Sequence, residues 1–543
     1  MIKTIVKKGA YFDSVTLMNL AKDLRKIQGV DDAAVVMATP ENKSILKSSG
    51  LYDAETLAAA SDNDLVIALK TKTNSGAETA AKKAEELLKP KSSSHDMGVF
   101  KSGQAGHSIR AFDSLEAALN AFQGANIALI SVAGKYAGAL ALKCLYNNLN
   151  LMIFSDNVPL ETEIQLKKTA LKKGILAMGP DCGTAIINGT PLGFANSVRR
   201  GGIGIAAASG TGLQEVSCLL NNMGFGISQA IGTGSRDVKK EVGAVTMIQG
   251  LKALANDPDT LVIVIISKPP HPDVLKKIAG EIKKIKKPVV SVFLGGELKI
   301  PDKKNFYNVP TLEKAAMNAA VLCDAEKASA AKQNLYNAVS GIEKIAQKAL
   351  ENKTAKQKFI RGLFSGGTFA SETQIILKDF ISPVWSNAPI VDKWKLKNPL
   401  NLKGHSVVDL GADEFTQGRP HPMIDYSLRN SLIISESKKK EVSVILLDVV
   451  LGYGANMNPL DDILPAIKTA FKNNPGLSII TSVTGTETDP QVCSKVVQGL
   501  EKTGVIVMPS NAAACRLAGT IARGRRIISA RDYEIILRGI KSH

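Results

Sequence analysis

Apolar residues along this 543-residue chain fall mostly into short continuous runs, each followed by a stretch whose apolar positions recur every three or four residues. Such runs read as strands buried on both faces, and the stretches after them as amphipathic helices. Over residues 1–92 the pattern predicts strands at 3–8, 33–38 and 65–70 and helices at 14–27, 40–48 and 76–88, a small ferredoxin-like α+β domain. The polar stretch 93–109 reads as a linker. Over 110–200, strands at 127–132, 151–154 and 175–178 alternate with helices at 115–121, 137–147 and 161–172, a Rossmann-like unit. A second β-α unit over 201–324 has strands at 203–208, 227–230, 262–266 and 289–293. A helical linker at 325–359, rich in Lys, Ala and Glu, leads to a third unit over 360–522. Its strands are expected at 362–364, 406–410, 442–449, 478–483 and 505–508, and a basic tail follows at 523–543. The fold class is multidomain α/β with parallel sheets.

Five of the apolar runs end in a glycine-rich turn that opens onto a helix-like stretch. The fullest contains Ser209-Gly210-Thr211-Gly212, and the others centre on Ser131-Val132-Ala133-Gly134-Lys135, Ser365-Gly366-Gly367-Thr368, Gly452-Tyr453-Gly454-Ala455-Asn456 and Thr484-Gly485-Thr486-Glu487. A strand-turn-helix of this kind aims free backbone N–H groups and the positive end of a helix dipole at one point, a seat for phosphate or carboxylate. A glycine also turns strand into helix in any α/β fold, so it is the repetition that points to anion binding. None of the five reads GxxxxGK(S/T), so the lysine and hydroxyl of a P-loop are missing.

Composition narrows the classes further. Hydrophobic residues make up 45% of the chain, ordinary for a globular protein, and aromatics 5%, low for a protein that stacks nucleic-acid bases. The net charge of +18 comes largely from lysines on mixed-charge helical faces, so no nucleic acid is expected as a partner, whereas small anions are. The first nine residues lack the apolar stretch of a secretory signal and no run is long enough to cross a bilayer; a cytoplasmic location and no membrane contact are expected. Six cysteines stand singly at 144, 182, 218, 323, 493 and 515, with no spacing that suggests zinc, so no metal site is expected.

Several motifs together resemble the FdrA/YahF family of the succinyl-CoA synthetase superfamily. They are Tyr11-Phe12-Asp13-Ser14-Val15, Phe154-Ser155-Asp156-Asn157-Val158, Met178-Gly179-Pro180-Asp181-Cys182-Gly183-Thr184, Ala208-Ser209-Gly210-Thr211-Gly212, Ser267-Lys268-Pro269-Pro270 and Gly418-Arg419-Pro420-His421-Pro422-Met423-Ile424-Asp425. The resemblance spans essentially the whole chain. It implies a CoA-binding-type Rossmann-like domain and two flavodoxin-like ligase domains, without the ATP-grasp domain of the synthetases. Two departures bear on mechanism. Where the synthetases carry a phosphorylated histidine, this chain reads Val292-Phe293-Leu294-Gly295-Gly296-Glu297-Leu298-Lys299, and the glycine-rich opening of their CoA domain has no counterpart near Asp113-Ser114-Leu115. CoA is therefore the one cofactor the resemblance allows, and none is demanded.

The resemblance also implies site residues. Two facing helix N-termini that hold a phosphoryl group carry over as Ser209, Gly210, Thr211 and Gly212 on one side and Gly452, Gly454, Ala455 and Asn456 on the other. Arg419 and His421 are the candidate catalytic residues. The arginine would clamp an anion bidentately, and the imidazole would move a proton near neutral pH; the competing reading has His421 and Asp425 capping a helix. Gly179, Pro180, Asp181, Cys182, Gly183, Ser365, Gly366, Gly367, Thr368, Asp425 and Thr486 are candidates for substrate or cofactor contact. Cys182 as a nucleophile needs an activating base that the sequence does not reveal.

Three functions remain open at this point. One is a group-transfer subunit using an acyl or carbamoyl phosphate, of the oxalurate/oxamate carbamoyltransferase type found in purine nitrogen catabolism. The second is an NDP-forming acyl-CoA synthetase that borrows its ATP-grasp domain from a partner. The third is a non-catalytic scaffold that binds acyl phosphates or CoA-like ligands. The resemblance implies phosphate and an oxamate-like acid as small partners, FdrA-associated subunits in a homo- or hetero-oligomer, and a functional link to carbamate kinase.

Overall fold

The computed structural model describes residues 2–9, 14–39, 42–43, 46–47, 49–61, 64–88, 112, 114–296, 298–300, 304–416 and 420–524. Two compact units emerge, Met1–Leu151 with Glu414–Pro420, and Met152–Asp413 with His421–His543. The expected linker and most of the expected tail lie outside the described residues, as do Gly418 and the candidate Arg419.

In the first unit the strands Ile2–Lys7, Leu65–Thr71 and Val30–Met37 form an antiparallel sheet with Leu65–Thr71 in the middle. Side chains alternate across that strand. Leu65, Ile67 and Leu69 pack on one face with Leu17, Leu20 and Leu24 of helix Ser14–Arg25 and Ala80, Ala84 and Leu88 of helix Asn74–Leu88. Val66 and Ala68 face the other way, where Leu46, Leu51 and Leu57 cover them. Leu57 belongs to helix Ala54–Ala58, a turn too short to register as a helical period. The unit continues through helix Leu115–Ala121, strand Ile127–Ile130 and helix Gly134–Tyr146, as the sequence predicts to within a few residues.

The second unit contains two large sheets. One has seven strands in the order Phe306–Asn308, Val289–Phe293, Val262–Ser267, Arg200–Ala207, Ile227–Gly232, Thr184–Ile187, Thr190–Gly193. Its first five strands are parallel, and the last two form an antiparallel hairpin on its edge. The sequence reading missed that hairpin. Its turn is Asn188-Gly189 with φ of 50° and 81°, the left-handed pair that closes a two-residue hairpin. The second sheet is fully parallel, in the order Val384–Ser386, His405–Asp409, Phe359–Phe364, Val442–Val450, Ser478–Thr484, Ile506–Met508. Every residue of Val442–Val450 is buried, as a central parallel strand covered on both faces requires. Two helices, Ala325–Ser340 and Ile342–Glu351, fill the stretch between the sheets, with Gly341 at their junction. Among the described residues no helix is long and apolar enough to cross a membrane.

Candidate functional site

Two central strands, one in each large sheet of the second unit, deliver a helix to the same place. Strand Arg200–Ala207 leads into helix Gly210–Asn222, whose N-cap Ser209 accepts the Gly212 N–H at 3.0 Å. Strand Phe359–Phe364 leads into helix Gly367–Leu377, whose N-cap is Gly366. The first turns meet head to head, with Ser209 Oγ 2.5 Å from Thr368 Oγ1. A Cβ on Gly366 would sit 2.8 Å from Thr211 Cγ2 and 2.9 Å from its Oγ1, so only glycine allows this approach. The backbone N–H groups of Gly210, Thr211, Gly367 and Thr368 have no hydrogen-bond partner among the described residues. Two positive dipole ends pressed together with unpaired donors are an arrangement that favours negative charge.

The turn before the second helix is fixed from below. Asp448, fully buried in its strand, accepts Ser365 N–H at 2.8 Å, Ser365 Oγ at 2.8 Å and Gly366 N–H at 2.9 Å. Arg429 of helix Ser427–Ser437 pairs with that carboxylate at 3.1 Å and donates to the Asp448 carbonyl at 2.7 Å. Neither residue was read as a site residue. The available signal was Asp448 itself, a lone charge within Val442-Ser443-Val444-Ile445-Leu446-Leu447-Asp448-Val449-Val450.

One turn into each helix lies a buried carboxyl, and both reach a single asparagine. Glu215 accepts the Asn511 N–H at 3.1 Å and the Thr484 hydroxyl at 2.5 Å, while Glu372 accepts Asn511 Nδ2 and the Leu312 N–H, both at 2.8 Å. Glu313 beside them pairs with Arg516 at 2.7 Å. Burial, reinforced by the neighbouring carboxyls, raises both Glu215 and Glu372 to about 7.

Gly452–Asn456 is not the facing helix end that the sequence suggests, because the helix after it opens only at Pro459. The loop is clasped to residues 193–196 instead. Tyr453 N–H donates to the Ala195 carbonyl at 2.8 Å, Gly452 N–H to Gln491 Oε1 at 3.0 Å, and Asn456 N–H to the Met423 carbonyl at 2.8 Å. Gly452 at φ 106° and Gly454 at φ 77° leave room for Ala195 and Phe194, and Ala455 is buried. The loop still borders the site. Phe194 touches Gly454, and its carbonyl accepts the hydroxyl of Thr184, the residue that lies against Gly210.

His421 is neutral at physiological pH, since desolvation lowers it to about 4. Its Nδ1 accepts the Met423 N–H at 3.2 Å, which leaves the proton on Nε2 facing Gly411. The expected proton shuttle near neutral pH therefore gives way to an uncharged imidazole, 5.7 Å centroid to centroid from Phe194. Asp425 accepts the Ser427 N–H at 2.9 Å next to Tyr426, the N-cap of helix Ser427–Ser437, which has no side-chain cap of its own.

Cys182 is buried and its thiol is pushed up to about 12, so the nucleophile reading does not hold. Around it, Gly179 at φ 93° and Asp181 at φ 56° shape the turn with Pro180 and Gly183, and Asp181 accepts the Ser235 hydroxyl at 2.9 Å. Thr486 is occupied by a brace in which its hydroxyl donates to the Ser197 carbonyl at 2.7 Å and its N–H to Asp489 at 2.8 Å.

Comparison with known proteins places these features. The chain is 38% identical over 515 residues to YahF of Escherichia coli (strain K12), covering 94% of this chain and 96% of that one. The chain belongs to the FdrA/YahF family. Within this family member, residues 363–521 match the CoA-ligase family model and residues 1–105 the model described as AllF, heavy metal-associated domain. The alpha subunit of an ADP-forming succinate–CoA ligase of Staphylococcus epidermidis is 25% identical over 209 residues, 38% of this chain and 67% of that subunit. A dinucleotide-forming acetyl-coenzyme A synthetase of Ca. Korarchaeum cryptofilum, solved with phosphate and ADP, aligns over 82% of this chain and 90% of its own at 12% identity and a TM-score of 0.34. The CoA-ligase match and the succinate–CoA ligase relative give this FdrA/YahF protein a succinyl-CoA-ligase-alpha-like fold.

Two groups suggested by these relatives can be tested against the residues. Soft heavy metals are held by thiolates, imidazoles or thioethers. Residues 1–105 contain no cysteine, a single histidine, His95, and methionines at 1, 18, 37 and 97, so the N-terminal domain has no thiolate pair to hold a heavy metal. For CoA phosphates the first unit offers the turn from Ser131 to Lys135. It opens helix Gly134–Tyr146, which has no side-chain cap and no acidic residue in its first turn.

Proposed function

We propose that this chain is the synthetase-like subunit of a group-transfer enzyme that uses an acyl or carbamoyl phosphate, with carbamoyl transfer of the oxalurate/oxamate type as its reaction. The observation that carries the reading is the Ser209–Thr368 contact between two helix N-termini with unpaired N–H groups. In the proposed reaction the amide nitrogen of oxamate attacks the carbamoyl carbon of carbamoyl phosphate. The carbon–oxygen bond to phosphate breaks, and the nitrogen gives up a proton as oxalurate and phosphate form. Charge builds on the leaving phosphate, and the two helix ends face it, each contributing about 0.3–1 kcal/mol when exposed and up to ~2 when partly buried. Neutral His421 would serve as an Nε2–H donor, and Arg419 as the clamp on the oxamate carboxylate. The absence of a histidine over 292–299 favours direct transfer over a phosphohistidine relay.

The test mixes the purified chain, alone and with carbamate kinase or FdrA-associated subunits, with carbamoyl phosphate and oxamate and follows phosphate release. Release that requires both substrates supports the reading; release indifferent to oxamate overturns it. The CoA-ligase match over residues 363–521 favours one further reading, an acyl-CoA synthetase subunit served by a partner's ATP-grasp domain. There the turn from Ser131 to Lys135 would hold CoA phosphates, and turnover would depend on CoA and ATP.

A further inference from the structure

At the far end of helix Gly210–Asn222, about 18 Å from its N-cap by helical rise, lies a cleft of about 540 Å³ that the proposed reaction does not use. It is lined by Ser197, Arg199, Asn221, Asn222, Glu487 and Thr488 together with Val198. We propose that this cleft is a second ligand site, for a small carboxylic acid that also carries N–H donors.

The walls are built before any ligand arrives. Asp489 accepts the Ser197 N–H at 2.7 Å, and Thr488 donates its hydroxyl to the Ser197 carbonyl at 2.8 Å. Asn222 Nδ2 donates to the Gly485 carbonyl at 3.0 Å, tying the helix end to the loop that carries Glu487. The volume is that of a small-molecule site.

Its charges are arranged for a molecule with two unlike ends. Arg199 uses its backbone N–H and Nε on Asn221 Oδ1, at 3.1 and 3.2 Å, which orients the guanidinium. Among the described residues its two terminal nitrogens have no partner, leaving the fork that binds a carboxylate bidentately. Glu487 is held by Ser494, which donates its N–H and hydroxyl to the two carboxylate oxygens, each at 2.8 Å. That carboxylate retains acceptor capacity, since each oxygen can take a second hydrogen bond. Arg199 and Glu487 form no ion pair with each other among the described residues, so the arginine is available to an acid and the glutamate to N–H groups. A plain anion would satisfy only the first. An α-amino acid or a ureido acid satisfies both.

Calorimetric titration of the full chain with glycine, N-carbamoylglycine and acetate tests this. At least one of the two N–H-bearing acids should bind saturably, and acetate at least tenfold more weakly; which of the two binds separates the ammonium from the ureido class. Arg199→Gln and the milder Arg199→Lys should each weaken binding at least tenfold, and Glu487→Gln should narrow the gap between the bound acid and acetate. Carbamoyl phosphate turnover should persist in all three variants, because the cleft lies at the opposite end of the helix from the proposed reaction. The proposal is overturned if neither acid binds saturably, or if the Arg199 variants bind as the wild type does. Either result leaves the reading of the helix N-termini standing.

Discussion

Ser209 Oγ and Thr368 Oγ1, 159 residues apart in sequence, lie 2.5 Å from one another where two helices begin. The two hydroxyls lie beside the unpaired N–H groups of the proposed anion seat. Ser209→Ala removes an N-cap as well as the contact, a loss of about 0.5–2 kcal/mol. Thr368→Val keeps the shape and removes only the hydroxyl. Both variants should lower phosphate affinity and turnover at least tenfold, with Thr368→Val leaving urea unfolding nearly unchanged. Retained phosphate binding in Thr368→Val would sever the contact from function.

Gly366 shows why the close approach is steric. Its φ of −104° suits alanine, so backbone strain is not the obstacle. The obstacles are the side chains of Thr211 and Phe369, whose Cγ2 and Cδ2 lie 2.8 and 2.9 Å from where the new methyl would be. Gly366→Ala should push the helix ends apart and cost about 1–3 kcal/mol, as overpacking does. Thr211→Ala in the same chain should return part of that stability, the clash with the Phe369 ring remaining. Chemical unfolding of the two singles and the double checks this, and strict additivity would show that the residues do not touch.

These two contacts mark where the sequence was readable. Ser209, an N-capping residue type placed directly after the apolar run 203–208, declares a helix start by local chemistry alone. Which second helix faces it is a tertiary fact. Gly452 and Gly454 and the pair Gly366-Gly367 look alike in sequence, and only tertiary packing brings the helix after Phe359–Phe364, not the loop at 452–456, onto Ser209. The glycines at 452 and 454 instead answer to Ala195 and Phe194, which press on them from almost 260 positions away. The hairpin around Asn188-Gly189 was readable and went unread, since Asn-Gly between short β-type runs is a direct turn signal. His421 was legible as a residue type near a sheet edge, but its neutrality depends on packing that no spacing reveals.

Burial orders the cysteines by reactivity. Cys144, Cys182, Cys218, Cys493 and Cys515 are buried, and only Cys323 is partly open. Burial lifts Cys182 and Cys493 to about 12, and a thiol at that value is almost wholly un-ionised at neutral pH. Iodoacetamide at about pH 7.5 should therefore label Cys323 alone in the folded protein and all six in denaturant, read by mass spectrometry. Fast native labelling of Cys182 would restore the nucleophile reading.

Asp448 and Arg429 form a pair in which neither side chain reaches solvent. Removing one partner leaves a buried charge alone, a loss of about 3–5 kcal/mol. Arg429→Met and Asp448→Asn should each approach that loss, whereas the double variant should be less destabilised than the sum of the two. Because Asp448 also holds Ser365 and Gly366, Asp448→Asn should further weaken phosphate binding while a distant destabilising substitution of equal size does not. Parallel unfolding and phosphate titration separate the two effects.

Glu215 ties the helix ends to pH. An ordinary glutamate titrates near 4.5, and burial raises this one to about 7. Between those values the folded chain keeps a proton that the unfolded chain has released, so this group's contribution to stability falls as pH rises from about 4.5 to about 7 and is level above. Glu372, also raised to about 7, adds a slope of the same sign. Glu215→Gln removes one of the two titrations and preserves the contacts, since the amide oxygen can accept the Asn511 N–H and the amide nitrogen can donate to Thr484. The variant's melting temperature should decline less steeply than the wild type's between about pH 5 and pH 7, and the two curves should run parallel above pH 8. Identical slopes would mean that Glu215 folds as a carboxylate, with the Asn511 N–H and the Thr484 hydroxyl holding its charge.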